Sequence, residues 1–182
     1  MNGAVLRWLT VRICDECSFD WDLTTDGVLR TLASFPDAYR TRLDRFRRAP
    51  DAGVIRQRPS PEVWSALEYT VHVRDVIDFY ADRIDRVLNE ERPQFTGTDF
   101  SSMPERRGYL EADPAVVVDE IAGSSVVVEE LLRSLSADQW ARVGIGMDGH
   151  ERTLLVLARR MAHDGQHHLL DLDRLDATLL CR

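Results

Sequence analysis

Imidazole side chains crowd one short stretch near the C-terminus. The segment "ARRMAHDGQHHLLDLDRL", residues 158–175, contains three of the five histidines in the chain: His163, His167 and His168. On a helix, residues four apart lie on the same face about one turn from each other, so His163 and His167 can converge on one divalent ion. His168 is rotated by about 100° from His167 and is expected to lie outside that pair. An H-x-x-x-H pair alone is a weak signal, so a third ligand is needed.

His72 is the candidate for the third ligand. It lies in "WSALEYTVHVRDV", residues 64–76, among apolar neighbours. One interpretation is a buried histidine satisfied by a carboxylate or a carbonyl, and the other is a ligand that reaches across to His163 and His167. Three neutral imidazoles suit Zn²⁺, Ni²⁺ or Fe²⁺ and leave a coordination position open, as catalytic sites do. His150 follows an Asp-Gly pair and is expected to be exposed.

Several acidic side chains lie close in sequence to the proposed ligands. A carboxylate at Asp164, Asp171 or Asp75 could hold the second ring nitrogen of a ligand histidine. Glu68 lies one helical turn before His72, where it could orient a ligand or accept a proton. Glu68 and Asp164 are therefore the candidate catalytic residues, and ordinary surface ion pairing is the alternative for each acid.

Two cysteines form a C-x-x-C pair upstream, in "RICDECSFDWD", residues 12–22. A redox role for Cys14 and Cys17 would need a thioredoxin-like context, which the sequence lacks. A zinc ribbon would need a second pair, and only Cys181 remains. Three interpretations stay open: two reduced cysteines in a turn, a metal or partner site that can include a histidine, and a redox pair.

Composition limits the classes of partner. The 182 residues suggest one domain, and a net charge of −8 argues against nucleic-acid binding. No apolar run reaches the roughly 20 residues of a membrane span. The start, "MNGAVLRWLTVRICDEC", lacks the basic region and cleavage site of a signal peptide. Together with the odd cysteine count, this predicts a cytoplasmic protein with reduced thiols.

Hydrophobic periodicity predicts four helices. The first carries an apolar stripe at spacings of three and four, and Pro36 predicts that it begins after residue 36 or is kinked there. The second should run from about 61 to 90 with Ser60 as its N-cap, the third over 114–134 and the fourth over 153–175. A short turn at "SADQW" and a hairpin at Asp148-Gly149 complete the pattern, and residues 91–113 form a long connection. The fold class is all-α, a four-helix bundle with a small hairpin before the last helix and an irregular N-terminal extension.

These features resemble the DinB-like superfamily of helical metal proteins. The resemblance covers roughly residues 23–175 and depends on Trp64-Ser65, His72, Trp140, and the paired His163 and His167. It implies an up-down-down-up bundle over 23–176, between an N-terminal extension over 1–22 and a tail over 177–182. It also implies that His72, His163 and His167 bind zinc or nickel, and that the chain forms a homodimer.

The same resemblance implies an activity. Related families, the mycothiol-dependent maleylpyruvate isomerases and the bacillithiol transferases, use the metal to activate a low-molecular-weight thiol. The expected function is a thiol-dependent S-transferase or isomerase acting on a small-molecule electrophile. Mycothiol is favoured as the thiol because the chain has arginine but no lysine, which suggests a high-GC source in which mycothiol is expected. The alternatives are a non-catalytic metal-binding module for stress response or interaction, and a thiol redox protein centred on Cys14 and Cys17.

Overall fold

Four long helices form the body of the molecule. The computed structural model describes residues 12–180, so Cys181 and the predictions made for residues 1–11 fall outside it. The long helices are α1 (Thr25–Arg47), α2 (Ala66–Asn89), α4 (Pro114–Arg133) and α6 (Leu154–Leu179). Both α1 and α2 pack chiefly against α4 and α6, which places α1 and α2 at diagonal corners of the bundle. The predicted all-α four-helix bundle is confirmed.

Contacts between helices fix their directions. Helix α1 runs parallel to α6, because Tyr39 bonds to Gly165 and further along Arg42 pairs with Asp173. Helix α2 runs parallel to α4, because contacts at residues 74 and 78 of α2 meet residues 120 and 124 of α4 in the same order. Helix α2 is antiparallel to α6, because His72 meets His168 while the later Tyr80 meets Arg160. The course is therefore up-down-down-up.

Helix α1 is longer than its sequence predicts. The prediction that it begins after Pro36 is wrong, since α1 contains Pro36 and is capped by the side chain of Thr24, which accepts a bond from Gly27. Proline in a helix interior removes one backbone hydrogen bond. Phe35 and Tyr39 on either side of it are fully buried, and this packing holds the helix together. Every residue of the predicted stripe is buried: Leu29, Leu32, Phe35, Tyr39, Leu43 and Phe46.

The start of α2 also differs from the prediction. Ser60 is not the N-cap; it lies in a turn and pairs with Val63 through an isolated bridge. The cap is Ser65, whose hydroxyl accepts from the Glu68 backbone N–H while the Glu68 carboxylate accepts from the Ser65 N–H at 2.8 Å. This reciprocal pair is a capping box, and its S-x-x-E signature is present in the sequence. In the sequence, the Ser60-Pro61 pair suggested a helix start more strongly than the S-x-x-E signature at Ser65 did.

Short elements fill the connections. Helix α3 is Met103–Arg106, helix α5 is Ala137–Ala141, and 3₁₀ turns cover Val54–Arg56 and Tyr109–Glu111. The predicted hairpin is present: β1 (Val143–Ile145) pairs antiparallel with β2 (Glu151–Thr153), and Gly149 adopts a φ of 76° in the turn. Within residues 12–180, no helix has the length and apolar character needed to cross a membrane.

The 91–113 connection is fixed to α2 through a buried carboxylate. Asp75 is 5% exposed; it accepts a bond from the Tyr109 hydroxyl at 2.7 Å and pairs with Arg107 at 2.9 Å. Earlier in the same connection, the Phe100 ring lies edge-on against His72, with centroids 5.1 Å apart. The connection therefore covers the part of α2 that carries His72.

Candidate functional site

The C-x-x-C pair lies in a tight turn just before α1. The Cys14 N–H donates to the Phe19 carbonyl at 2.8 Å, and the Ser18 N–H donates to the Cys14 carbonyl at 2.9 Å. Ser18 has a φ of 58°, in the left-handed region, and this lets the chain reverse directly after Cys17. The turn thus brings the two cysteines together without a regular strand or helix.

This turn is attached to α6. Phe19 is 1% exposed and belongs to the core. Trp21 lies against the His163 ring with centroids 4.4 Å apart. The Gln166 side chain donates to the Cys17 carbonyl at 3.1 Å, and Arg159 donates to the Leu23 carbonyl at 2.8 Å. Residues 12–23 are therefore held along the face of α6 that carries His163.

Four possible metal ligands meet where the turn contacts α6. The ligand atoms of Cys14, Cys17, His163 and His167 all lie within 4.8 Å of one another, and each residue is half-buried. The Cys14 Sγ is 3.9 Å from the His167 Nδ1. The two histidines share a face of α6 because they are four residues apart, as the sequence predicts. Among the residues the structure describes, this is the group of three or more such ligands that could hold a divalent metal. We call it the cysteine–histidine cluster.

The two thiols of the cluster differ in acidity. Burial alone would raise the pKa of Cys14, but backbone hydrogen bonds and the adjacent imidazoles of His163 and His167 outweigh it and lower that pKa to about 6. Burial and the neighbouring Cys14 raise the pKa of Cys17 to about 11. Since the thiolate is the form that binds metals, the packing already favours one thiolate, and a cation would be required to favour the second.

His163 is held by Asp164 on one side only. Burial opposes protonation, yet Asp164 and Cys14 raise the pKa of His163 overall. Its Nδ1 lies 3.3 Å from the Asp164 carboxylate, while its Nε2 is buried and has no hydrogen-bond partner among residues 12–180. The free nitrogen is therefore the one available to an ion.

A second histidine pair lies on the next face of α6. The His72 ring packs edge-on against the His168 ring, with centroids 4.8 Å apart, and Trp64 and Tyr69 flank the pair. His168 Nδ1 is 2.9 Å from Asp171. His72 Nδ1 is buried, and none of the residues that the structure describes forms a hydrogen bond with it. Burial, then the proximity of His168, lowers the pKa of His72 to about 4, so its imidazole is neutral at physiological pH. We call these two residues the histidine pair.

The predicted site residues thus fall into two groups. His163 and His167 are together, and the cysteines left open by the sequence join them, whereas His72 meets His168 instead. His168 is not among the ligands of the cysteine–histidine cluster, although its ring lies 5.8 Å from that of His167, and His150 is exposed as expected. The ligand set His72, His163 and His167 itself stays a prediction. No sequence pattern links residue 14 to residue 167. The cluster becomes visible only in the folded chain, where the turn packs on α6.

The two candidate catalytic acids also differ in their surroundings. The Glu68 carboxylate caps α2 and forms a two-point ion pair with Arg58, whose Nε donates to Oε2 at 2.9 Å and whose Nη2 donates to Oε1 at 2.5 Å. These partners account for its burial. Asp164 is a third exposed and contacts His163, and it also influences His72 electrostatically. Asp164 is therefore near both groups of histidines.

Comparisons with known proteins agree with this architecture. The family model described as DinB superfamily matches residues 32–172. YfiT from Bacillus subtilis, described as a probable metal-dependent hydrolase with an unusual four-helix bundle topology, is 19% identical over 85% of this chain and 86% of its own, with a TM-score of 0.75. A mycothiol-dependent maleylpyruvate isomerase is 14% identical over 83% of this chain and 61% of its own, with a TM-score of 0.64. A search of curated proteins finds no match.

Proposed function

Since the chain belongs to the DinB superfamily, we propose that it is a divalent-metal-dependent enzyme that joins a low-molecular-weight thiol to a small electrophile or isomerises that electrophile. Two structural neighbours support an enzyme, because one is described as a probable metal-dependent hydrolase and the other as a mycothiol-dependent maleylpyruvate isomerase. The observation that carries the proposal is the histidine pair, in which a buried imidazole has an unpartnered nitrogen.

The residues around the histidine pair would suit an open, catalytic metal site better than a closed, structural one. His72 from α2 and His168 from α6 would supply two imidazoles, and Asp164, one helical turn before His168, would supply a carboxylate. Two imidazoles and one carboxylate are a set typical of catalytic ions, and they leave positions open for substrate. Asp171 would fix the ring of His168 through its Nδ1. A divalent ion bound there would hold a thiol as its thiolate.

The surrounding side chains would shape the substrate site. Trp64 and Phe100 pack edge-on against His72, and Tyr69 lies against His168. These rings would exclude water and bind the apolar part of a small electrophile. If Asp164 is not a ligand, it would instead accept or return a proton, which is the role expected for it from the sequence. The 91–113 connection, which carries Phe100, would then determine which electrophiles fit.

This assignment changes the ligand set expected from the sequence. The geometry favours His168 as the partner of His72, because His163 and His167 meet the cysteines. Metal analysis of single variants decides between the two sets. If His72, His163 and His167 form one site, alanine at any of them removes the same ion. A catalytic role for Glu68 stays a prediction, tested by the turnover of Glu68→Gln in its folded state.

The proposal is tested by thiol consumption with mycothiol and a panel of small electrophiles, including maleylpyruvate. We expect His72→Ala and His168→Ala to lose roughly 100-fold or more in kcat/KM, the scale on which metal-site residues act. His150→Ala is the matched control, since that histidine is exposed on the hairpin. Wild-type turnover in both His72→Ala and His168→Ala would refute the assignment.

A non-catalytic metal-binding module is the second candidate function. The observation that favours it is the cysteine–histidine cluster, because four protein ligands leave no open position on an ion. The two functions are separated by titrating the protein with mycothiol. Binding that depends on His72 supports the enzyme, and the absence of any thiol binding or turnover supports the module.

Other details of the proposal await direct measurement. Zinc or nickel at the catalytic position is distinguished by metal analysis of protein purified without a histidine tag. A homodimer, implied by the family, is measured by light scattering coupled to size-exclusion chromatography. Cytoplasmic location and the absence of nucleic-acid binding stay predictions.

A further inference from the structure

We propose that Cys14, Cys17, His163 and His167 form a closed zinc site that fastens residues 12–22 to α6, and that this ion is separate from the catalytic one. The inference does not depend on the proposed activity. It assigns a structural role to His163 and His167, the H-x-x-x-H pair of the sequence.

The number and kind of ligands favour a closed zinc site. Two thiolates and two imidazoles make the four-coordinate shell of structural zinc, and the spacings C-x₂-C and H-x₃-H agree with those of known sites. Soft sulfur ligands select zinc over magnesium or calcium. Once all four bind, no position remains for water or substrate, so the ion would not act as a Lewis acid.

The distances in the cluster are close to those of a bound ion. With Zn–S near 2.3 Å and Zn–N near 2.0 Å, tetrahedral ligands lie about 3.3–3.8 Å apart. The ligand atoms of the cluster lie within 4.8 Å of one another, and Cys14 Sγ to His167 Nδ1 is already 3.9 Å. Shifts of about 1 Å in the ligand atoms, made by side-chain rotation, would therefore complete the tetrahedral shell without moving the backbone.

A buried atom in the cluster lacks a partner. His163 Nε2 makes no hydrogen bond although it is buried. An unsatisfied buried polar atom costs roughly 1–3 kcal/mol, and coordination to an ion would remove that cost. Asp164 on the opposite nitrogen, at 3.3 Å, would set the ring orientation, as carboxylates do behind zinc ligands.

The ion would join two parts of the chain that are distant in sequence. Residues 12–22 contain no helix or multi-residue strand, and Phe19 is their one side chain that is fully buried in the core. Zinc would join this turn to the middle of α6, and because the four ligands meet only in the folded chain, the free energy of metal binding would add to the free energy of folding. Metal would thus reinforce the attachment that Phe19 and Trp21 already make to α6.

The arrangement explains why three histidines lie so close together in α6. The face with residues 163 and 167 meets the cysteine turn, and the face with residues 164 and 168 meets His72 on α2. Adjacent residues on a helix are about 100° apart, so one short segment can serve two sites. His163 and His167 would be structural, and His168 would be the functional member of the group.

Metal analysis of protein purified without a histidine tag tests this inference. We expect one zinc per chain to survive dialysis against a chelator. Cys14→Ser, Cys17→Ser and His167→Ala should each lose it, whereas Cys181→Ser, the matched cysteine control, and His72→Ala should keep it. Far-UV circular dichroism shows whether each variant retains its helices, so that loss of metal is not confused with loss of fold.

Cobalt substitution gives a readout that does not depend on stoichiometry. Co²⁺ in the site should show thiolate-to-metal charge transfer and the visible bands of tetrahedral cobalt. These bands should persist in His72→Ala and disappear in Cys17→Ser. Zinc retained in a Cys14→Ser/Cys17→Ser double variant, or chelator-resistant zinc lost in His72→Ala, would overturn the inference. Loss of turnover alone would not, because turnover tests the histidine pair.

Discussion

Gly165 shows how one residue can position both groups of histidines. It lies between His163 and His167 on α6, and its carbonyl accepts a bond from the Tyr39 hydroxyl at 2.6 Å. A Cβ at this position would lie 2.4 Å from two ring atoms of Phe35, which is fully buried. The absence of a side chain therefore allows α1 to approach α6 closely.

We predict that Gly165→Ala destabilises the protein although alanine favours helices. The helix preference would contribute about 1 kcal/mol, but overpacking against Phe35 costs about 1–3 kcal/mol. Chemical unfolding measures the difference. Gly123→Ala is the matched control: a Cβ added at Gly123 in α4 would meet no atom within 4 Å, so alanine should stabilise the protein by up to about 1 kcal/mol. Equal effects of the two variants would contradict the close-approach argument.

At the scale of the element, the start of α2 depends on one buried carboxylate. Glu68 is 1% exposed, caps the helix and pairs with Arg58, which also contacts Glu105 in the 91–113 connection. Burial raises the pKa of Glu68, but Arg58 and Ser65 more than offset this and lower that pKa overall. The ion pair thus links the linker before α2, the helix itself and the connection after it.

We predict that Glu68→Gln destabilises the protein at neutral pH but not in acid. Because the folded-state pKa of Glu68 is depressed, its contribution is present above the unfolded value of about 4.3 and is lost as pH falls through the folded value. The expected loss at neutral pH is about 1.5–3 kcal/mol, as for hydrogen bonds to charged groups. Unfolding free energies at several pH values measure it. An exposed acid, Glu62→Gln, should change stability by less than about 0.5 kcal/mol. A pH-independent gap would contradict the ion-pair explanation.

At the scale of the whole molecule, the bundle and the metal have different structural roles. Most of the core consists of apolar side chains from all four long helices; residues 12–22 add Phe19, and Cys14 and Cys17 pack against the core. Apart from Phe19, residues 12–22 lie outside the bundle and contact mainly α6. Metal should therefore stabilise the chain without being required for its helices.

We predict that removing zinc with a chelator and a thiol reagent lowers the thermal midpoint by about 5–15 °C while far-UV helicity at room temperature persists. Limited proteolysis should then begin within residues 12–22, because the turn would lose its crosslink to α6. The midpoint of Cys17→Ser should respond less to the chelator, because only an ion at the histidine pair would remain to be removed. Complete loss of helicity on chelation would show instead that the bundle requires the ion.

The long helices could be predicted from sequence because each carries its own apolar stripe. The two failures have local physical causes: packing of Phe35 and Tyr39 carries α1 through Pro36, and the Ser65–Glu68 capping box begins α2 later than Ser60 suggested. At Pro36, packing that only the folded chain makes outweighs the helix-breaking effect of one residue. At Ser65, the S-x-x-E signature of the capping box is present in the sequence, but the Ser60-Pro61 pair gave a stronger signal. The connection over residues 91–113 has no period, and a buried ion pair at Asp75 determines its path.

The sequence alone determined that this is a four-helix bundle and that His163 and His167 share one face of its last helix, because helical periodicity is a local property. It predicted His72 as the third ligand beside them and left a site shared with the cysteines open. Only the tertiary structure decided that the Cys14 turn reaches them and that His72 meets His168, since both contacts join residues far apart in the chain. Packing of Phe19 and Trp21 onto α6 brings the Cys14 turn to His163 and His167. The antiparallel course of α2 and α6 brings His72 to His168.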